Sequence, residues 1–210
     1  MLAPFMPAAG LSEFQLEQLN AYLNLLIKWN QKTNLTSVRR PEEIVRRHFG
    51  ESLFLAAALP NPPNTLPDGM PVRLIDVGSG AGFPAIPAKI FLPQLAATLI
   101  ESQNKKATFL KEVIRGLKLG STIVFNGRAE EWLRAGGSQG EIVTLRAVEH
   151  FEEMLPVAQS LLAPGGRLAL LIGARQLDTA RKLLPSLDWE PARPLPLSES
   201  RVLLVGALPR

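Results

Sequence analysis

The chain has 210 residues, 46% of them apolar, and a formal net charge of +4 with a pI near 9.7; that suits one α/β domain with an N-terminal extension. It has no cysteine and only two histidines, His48 and His150, which excludes disulfides, thiolate metal sites and cysteine nucleophiles, so no metal is expected. No apolar run of membrane-spanning length occurs, and the opening MLAPFMPAAG lacks the basic start and long apolar stretch of a secretory signal, so a cytoplasmic location is expected.

The first element in chain order is a helix from about Ser12. Ser12 and Gln15 have the spacing of a capping box, and Leu11 with Leu16 that of a hydrophobic staple. Leu16, Leu19, Leu23, Leu26 and Ile27 recur at helical spacing to about Trp29-Asn30. After the loop QKTNLTSVRR, Pro41 at a first helical position, with Glu42 and Glu43 in the first turn, opens a second helix. Its apolar face is Val45, Phe49, Leu53 and Ala56.

These two helices carry the charge excess. Between Lys28 and His48 stand Lys28, Lys32, Arg39, Arg40, Arg46 and Arg47 against Glu42 and Glu43, a local +4, while the remaining 17 basic and 17 acidic residues balance. A basic stretch of this kind is the footprint of a polyanion; a solvated helix face is the alternative reading. His48 reads as a structural histidine or an RNA contact. Residues 61–71 are rich in proline and mark a boundary, dividing the chain into a helical extension (1–60), a linker (61–71) and a core (72–210) within one compact unit. Asn61-Pro62-Pro63-Asn64 is similar to the Asn-Pro-Pro-Tyr motif of amine methyltransferases, but it ends in Asn64 and precedes every core strand.

The stretch Leu74 to Pro87, LIDVGSGAGFPAIP, organises the core. Leu74 to Val77 reads as a strand, Gly78, Gly80 and Gly82 as a turn free of side chains, and Pro84 and Pro87 suit a helix start reaching about Leu92. Together they describe the first βα unit of a doubly wound sheet, whose ligand crevice lies at the strands' carboxyl ends. A dinucleotide site wants G-x-G-x-x-G; here Phe83 stands where the third glycine belongs, and Asp76 suits a ligand carrying an amine or sulfonium rather than a pyrophosphate. The pattern resembles the first motif of S-adenosylmethionine (SAM) methyltransferases and speaks against a nicotinamide-dependent oxidoreductase. Gly78, Ser79, Gly80 and Gly82 are candidate SAM contacts, and a side chain at Gly82 is expected to remove SAM binding while the fold survives. Leu95 to Ile100 is the second strand. Glu101 at its end, followed by Ser102, has the place of a carboxylate that takes ribose hydroxyls.

A helix from Lys105 to Leu119 follows, then a strand at Thr122 to Phe125. After it, Ala129 and Glu130 can read an adenine edge. Ile142 to Leu145 is the fourth strand and ends in Arg146. A helix over Met154 to Leu162, a turn at Pro164-Gly165-Gly166, a fifth strand at Leu168 to Ile172 and a helix around Arg175 to Leu184 come next. Arg201 to Val205 is expected to close the sheet as an antiparallel strand.

Trp29-Asn30, Asn34-Leu35-Thr36, Arg47-His48, Glu51-Ser52-Leu53, DVGSGAGFP with Ile86-Pro87, Lys105-Lys106, Arg128 to Glu131, Arg146-Ala147 and Pro164 to Gly166 together resemble the RsmG (GidB) family over most of residues 20–173. The resemblance implies a Rossmann-like SAM-dependent methyltransferase fold, a central mostly parallel sheet flanked by helices. It implies methylation of N7 of guanine 527 in the 530 loop of 16S rRNA, with the small ribosomal subunit or its precursor as partner, and a monomer. Cofactor positions carry over to Gly78, Phe83, Ala129, Glu130 and Arg146, and Lys32, Asn34, Arg39, Arg40, Arg46, Arg47 and His48 become RNA-contact candidates. The chain departs from the pattern at Glu51, where Asp is usual, at Glu149-His150, and at Ile172-Gly173 in place of Lys-Gly. Guanine N7 has a free lone pair and no proton to lose, so the chemistry needs positioning and no general base; Arg146 is the positioning candidate. A SAM-binding ribosome-associated protein without methyl transfer is the alternative.

Overall fold

The computed structural model describes residues 1–6, 10–59, 69–148 and 150–210. The Asn61 to Asn64 segment and Glu149 lie outside them. Eight strands form one sheet in the order β3-β2-β1-β4-β5-β8-β6, with β7 on β8. β1 (Arg73–Val77), β2 (Ala96–Ile100), β3 (Thr122–Phe125), β4 (Gly140–Arg146) and β5 (Leu162–Gly173) run parallel, while β8 (Arg201–Ala207) is antiparallel to β5. β6 (Asp188–Trp189) and β7 (Arg193–Pro194) are short additions not read from the sequence. β5 starts earlier than expected: Pro164-Gly165-Gly166 lies within it, and the pairing with β4 shifts register between Gly140 and Ile142.

The order of the strands turns back between β1 and β4, which opens a crevice at their carboxyl ends. Period-two alternation along β1 sends Leu74 into one core and Ile75 and Val77 into the other. The first core lies under α1 (Glu13–Asn30), α3 (Glu51–Ala58), α4 (Ala85–Phe91) and α5 (Asn104–Gly116). The second lies under α7 (Phe151–Ser160) and α8 (Leu177–Leu183), with α6 (Ala129–Trp132) beside them. α2 (Pro41–Ile44) runs through a π-helical segment, Val45–Gly50, directly into α3. The N-terminal helices share the first core with the sheet.

The Ser12–Gln15 capping box is present. The same Gln15 side chain donates to the carbonyls of Ile90 (2.8 Å) and Phe91 (3.1 Å), fastening the start of α1 to the end of α4. The buried face of α1 is Leu19, Tyr22 and Leu26, and Leu16 is about half exposed. The face is rotated from the expected leucine stripe because Tyr22, not a leucine, fills the central position. Its ring lies against Phe83 (5.3 Å between centroids) and Phe49 (5.1 Å), and its hydroxyl donates to the Ala81 carbonyl.

This packing corrects the reading of Gly82. Its φ is +91°, and a Cβ there would lie 2.5 Å from Ile86 Cδ1 and 2.7 Å from Tyr22 Oη. The missing side chain makes room for Ile86 of α4 and Tyr22 of α1, and Gly82 is not among the residues that line the cavity. Gly82→Ala is therefore expected to lower stability by about 2–4 kcal/mol through strain and overpacking, read as an earlier urea midpoint. An unchanged midpoint would contradict the packing role.

Candidate active site

A cavity of about 830 Å³ opens at the carboxyl ends of the strands, within the usual range for cofactor sites. Its first half is built from the turn after β1 (Gly78 to Ala81), the end of β2 (Ile100 to Gln103) and the loop after β3 (Gly127 to Glu130). Gly78 and Gly80 take φ of +66° and +56°, so both need glycine's freedom. A Cβ on Gly80 would meet only the Gly78 carbonyl oxygen, at 3.8 Å, whereas one on Gly78 would press on Val148 at 2.9 Å. Ser79 is buried, and its hydroxyl donates back to the Asp76 carbonyl (3.0 Å). Glu101 is buried and fixed: one carboxylate oxygen accepts the Gly80 N–H and the other the Gln103 N–H, each at 2.8 Å. Ser102, Ala129 and Glu130 complete this half.

Asp76 lies beneath the turn, 1% exposed. Its Oδ1 accepts from Thr144 Oγ1 at 2.7 Å, bridging β1 and β4, while Oδ2 is buried without a partner among the described residues. Burial raises its pKa from 3.8 to about 6; hydrogen bonds from Thr144 and Ser79 and the charge of Arg146 offset only part of that cost.

The second half of the cavity is lined by Leu35 to Val38, Arg47, His48, Arg146, Leu171 to Gly173 and Arg201. Arg146 is buried. Its Nη2 donates to the Arg47 carbonyl (2.9 Å), His48 Nδ1 (2.9 Å) and Glu51 Oε2 (3.1 Å), and its Nη1 is buried without a partner among the described residues. Desolvation lowers its pKa to about 10, so it stays charged at neutral pH. Glu51 also accepts from Arg201. Burial pushes the Glu51 carboxyl up, and the guanidiniums of Arg146, Arg201 and Arg47 pull it back.

His48 belongs to this network and lines the cavity, as the structural-histidine reading expects of a side chain held on both ring nitrogens. An arginine only donates, so Nδ1 must accept and the ring proton sits on Nε2, which donates to Thr36 Oγ1 at 2.7 Å. Burial and the nearby guanidiniums push its pKa down to about 3, which keeps it neutral. The ring stacks on Phe83 at 4.9 Å, and Arg146 lies over the same Phe83 ring at 5.8 Å.

Of the other basic candidates, Arg47 lines the cavity and pairs with Glu43 at 3.2 Å. Arg39 donates to the Asn30 carbonyl (2.7 Å) and Asn34 Oδ1 (3.0 Å), bracing the loop. Lys32, Asn34, Arg39, Arg40 and Arg46 are exposed and stand outside the cavity lining. Asn30 Oδ1 accepts the Leu35 and Thr36 N–H groups. Thr36 and Arg201 were not singled out as site residues from sequence. The signal for Arg201 was its place at the start of the antiparallel strand, facing Gly173.

The GidB family model, described as rRNA small subunit methyltransferase G, matches residues 15–195. The chain belongs to this family. Ribosomal RNA small subunit methyltransferase G of Chloroflexus aggregans is 44% identical over 160 residues, covering 75% of this chain and 64% of that protein, just under two thirds of its length. The protein of the same name from Streptococcus pyogenes is 38% identical over 182 residues, covering 83% and 73%. Among solved structures, TrmN from Thermus thermophilus aligns with a TM-score of 0.59 at 20% identity, covering 81% of this chain and 53% of that one. P. horikoshii TYW2 in complex with MeSAdo aligns with a TM-score of 0.58 at 15% identity, covering 78% and 63%. At such identities the likeness shows the fold, which is the Rossmann-like fold expected of the family.

Asp76 yields a pH prediction. A carboxyl whose folded pKa lies above its unfolded value favours folding below the unfolded value, and that advantage is lost as pH rises through about 6. The gap between 3.8 and about 6 corresponds to about 3 kcal/mol. Asp76→Asn is therefore expected to gain stability relative to the parent as pH rises from 4 to 8, measured by urea unfolding without ligand. A difference independent of pH would refute the burial cost assigned to Asp76.

Proposed function

We propose that this chain is a SAM-dependent methyltransferase that modifies N7 of guanine 527 in the 530 loop of 16S rRNA. The observation that carries the reading is a pair of buried atoms on groups of opposite charge, Asp76 Oδ2 and Arg146 Nη1, that have no partner among the described residues. Buried polar groups are almost always partnered, and the amino-acid end of SAM carries an ammonium and a carboxylate that complement this pair. A carboxylate is also the right neighbour for a sulfonium. Family membership supports the rRNA substrate.

In this reading Asp76 Oδ2 accepts from the ammonium and Arg146 Nη1 donates to the carboxylate. The Glu101 oxygens, each already oriented by one backbone N–H, keep lone pairs for the ribose hydroxyls. The backbone of Gly78 to Gly80 accommodates the ligand, Ala129 and Glu130 take the adenine edge, and Phe83, held by His48 and Tyr22, is the rigid wall. SAM supplies an electrophilic methyl group on sulfur. The protein aligns the N7 lone pair with that methyl group, excludes water and moves no proton, since N7 has none to lose. Lys32, Arg40, Arg46 and Arg47 meet phosphates at the rim, with Asn34 and Arg39 shaping their loop. The chain works as a monomer in the cytoplasm, where its rRNA is.

The test is incubation with SAM and small subunits from a strain lacking the modification, followed by mass spectrometry of the fragment containing position 527. One added methyl group at guanine N7 is expected. Replacing Arg40 and Arg46 by glutamate should reduce the rate at subsaturating subunits without changing SAM affinity. Transfer to another position, or none, would overturn the proposal.

A further inference from the structure

Two guanidiniums share one carboxylate in the second half of the cavity. Glu51 is the buried carboxylate there, and Arg146, with a side chain 6% exposed, is its near partner at 3.1 Å. Arg201 adds a second guanidinium to the same carboxylate oxygen. Arg47 has Glu43 as a partner of its own. Glu51 thus serves two guanidiniums at once, and neither charge can be lost by deprotonation.

Of the two arginines, Arg201 is the more open. That side chain is 21% exposed, against 6% for Arg146 and 4% for Glu51. Only its Nη2 has a partner, Glu51, so the rest of its planar donor fork is unpartnered among the described residues at the cavity wall. β8 is antiparallel to β5, so Arg201 enters beside Gly173, at the carboxyl end of β5. Ile172 and Gly173 leave that strand end without a cation of its own. On the other side of the crevice the buried charges are the carboxylates Asp76 and Glu101.

We infer that Arg201 binds a phosphate of the nucleotide whose base enters the cavity, using the part of its guanidinium that Glu51 leaves free. The inference rests on the rRNA reading above. A guanidinium fork matches two phosphate oxygens. Glu51 holds the fork in place. The contact positions the target strand at the far side of the cavity from the cofactor residues. Arg201 thus provides, from an antiparallel strand, the cation that β5 lacks.

The experiment measures equilibrium binding of the full chain to unmethylated small subunits across a salt series, with SAM affinity by calorimetry and folding by urea melts. Arg201→Gln should weaken subunit binding about tenfold and reduce the log–log salt slope by about 0.7, the share of one single-strand phosphate. SAM affinity should stay within about twofold. Arg201→Lys should retain the slope while weakening binding a few-fold, because a point charge replaces a fork; it carries the test if the Gln variant does not fold. Three results overturn the inference: parental binding in either variant, weaker binding of the Gln variant with an unchanged slope, which indicates an uncharged acceptor, or a parallel loss of SAM affinity in either variant, which indicates an effect through Arg146. These are binding readouts. A parent protein that binds with the expected slope but transfers no methyl group fails the proposed function and leaves Arg201 standing.

Discussion

The buried carboxylate of Glu51 joins the two parts of this molecule. It stands at the start of α3, and its partners come from the ends of two strands, Arg146 of β4 and Arg201 of β8. Taking such charges out of water is costly, and removing one partner of a buried pair typically costs about 3–5 kcal/mol because the other is left uncompensated. The pair therefore holds the π-helical turn against the sheet in one arrangement. Arg146 donates to the Arg47 carbonyl and to His48; His48 lies on Phe83; Phe83 lies on Tyr22 of α1. Through these contacts the N-terminal helices form one wall of the cavity at the strand ends.

Charge in that cavity is sorted along the sheet. The carboxylates at the strand ends, Asp76 and Glu101, occupy the β1 and β2 side, the guanidiniums of Arg146 and Arg201 the β4 and β8 side, where Glu51 of α3 accepts from both, and β1 and β4 are neighbours at the switch in strand order. Such sorting suits a reaction that brings a cationic donor and a polyanionic acceptor to a common point. In the function proposed above no base is demanded: the residues place and neutralise, and the reactivity belongs to the two reactants.

Local patterns were legible in the sequence because their partners are near in the chain. The Ser12–Gln15 box, the strand-turn-helix around Gly78 and Gly80, the carboxylate at the end of β2 and the antiparallel β8 all follow from short-range spacing. What was not legible depends on distant contacts. Gly82 looks like one more ligand-facing glycine until α1 brings Tyr22 onto it. His48 looks like a basic-patch residue until Arg146, 98 positions away, fixes its tautomer and Thr36 takes its proton. Glu51 and Arg201 are 150 positions apart, and no periodicity connects them. Leu16 and Leu23 fit a helical stripe as well as Leu19 and Leu26 do; only the packing of Tyr22 decides which side faces inward.

The claim on which the account turns is that a zwitterionic donor is held between Asp76 and Arg146 with its ribose on Glu101. A crystal structure with S-adenosylhomocysteine tests it most directly. The amino nitrogen should lie about 3 Å from Asp76 Oδ2 and the ribose hydroxyls at similar distances from the Glu101 carboxylate, with Arg201 untouched. A ligand whose amino-acid end points away from Asp76, or whose ribose leaves Glu101 free, would contradict the account.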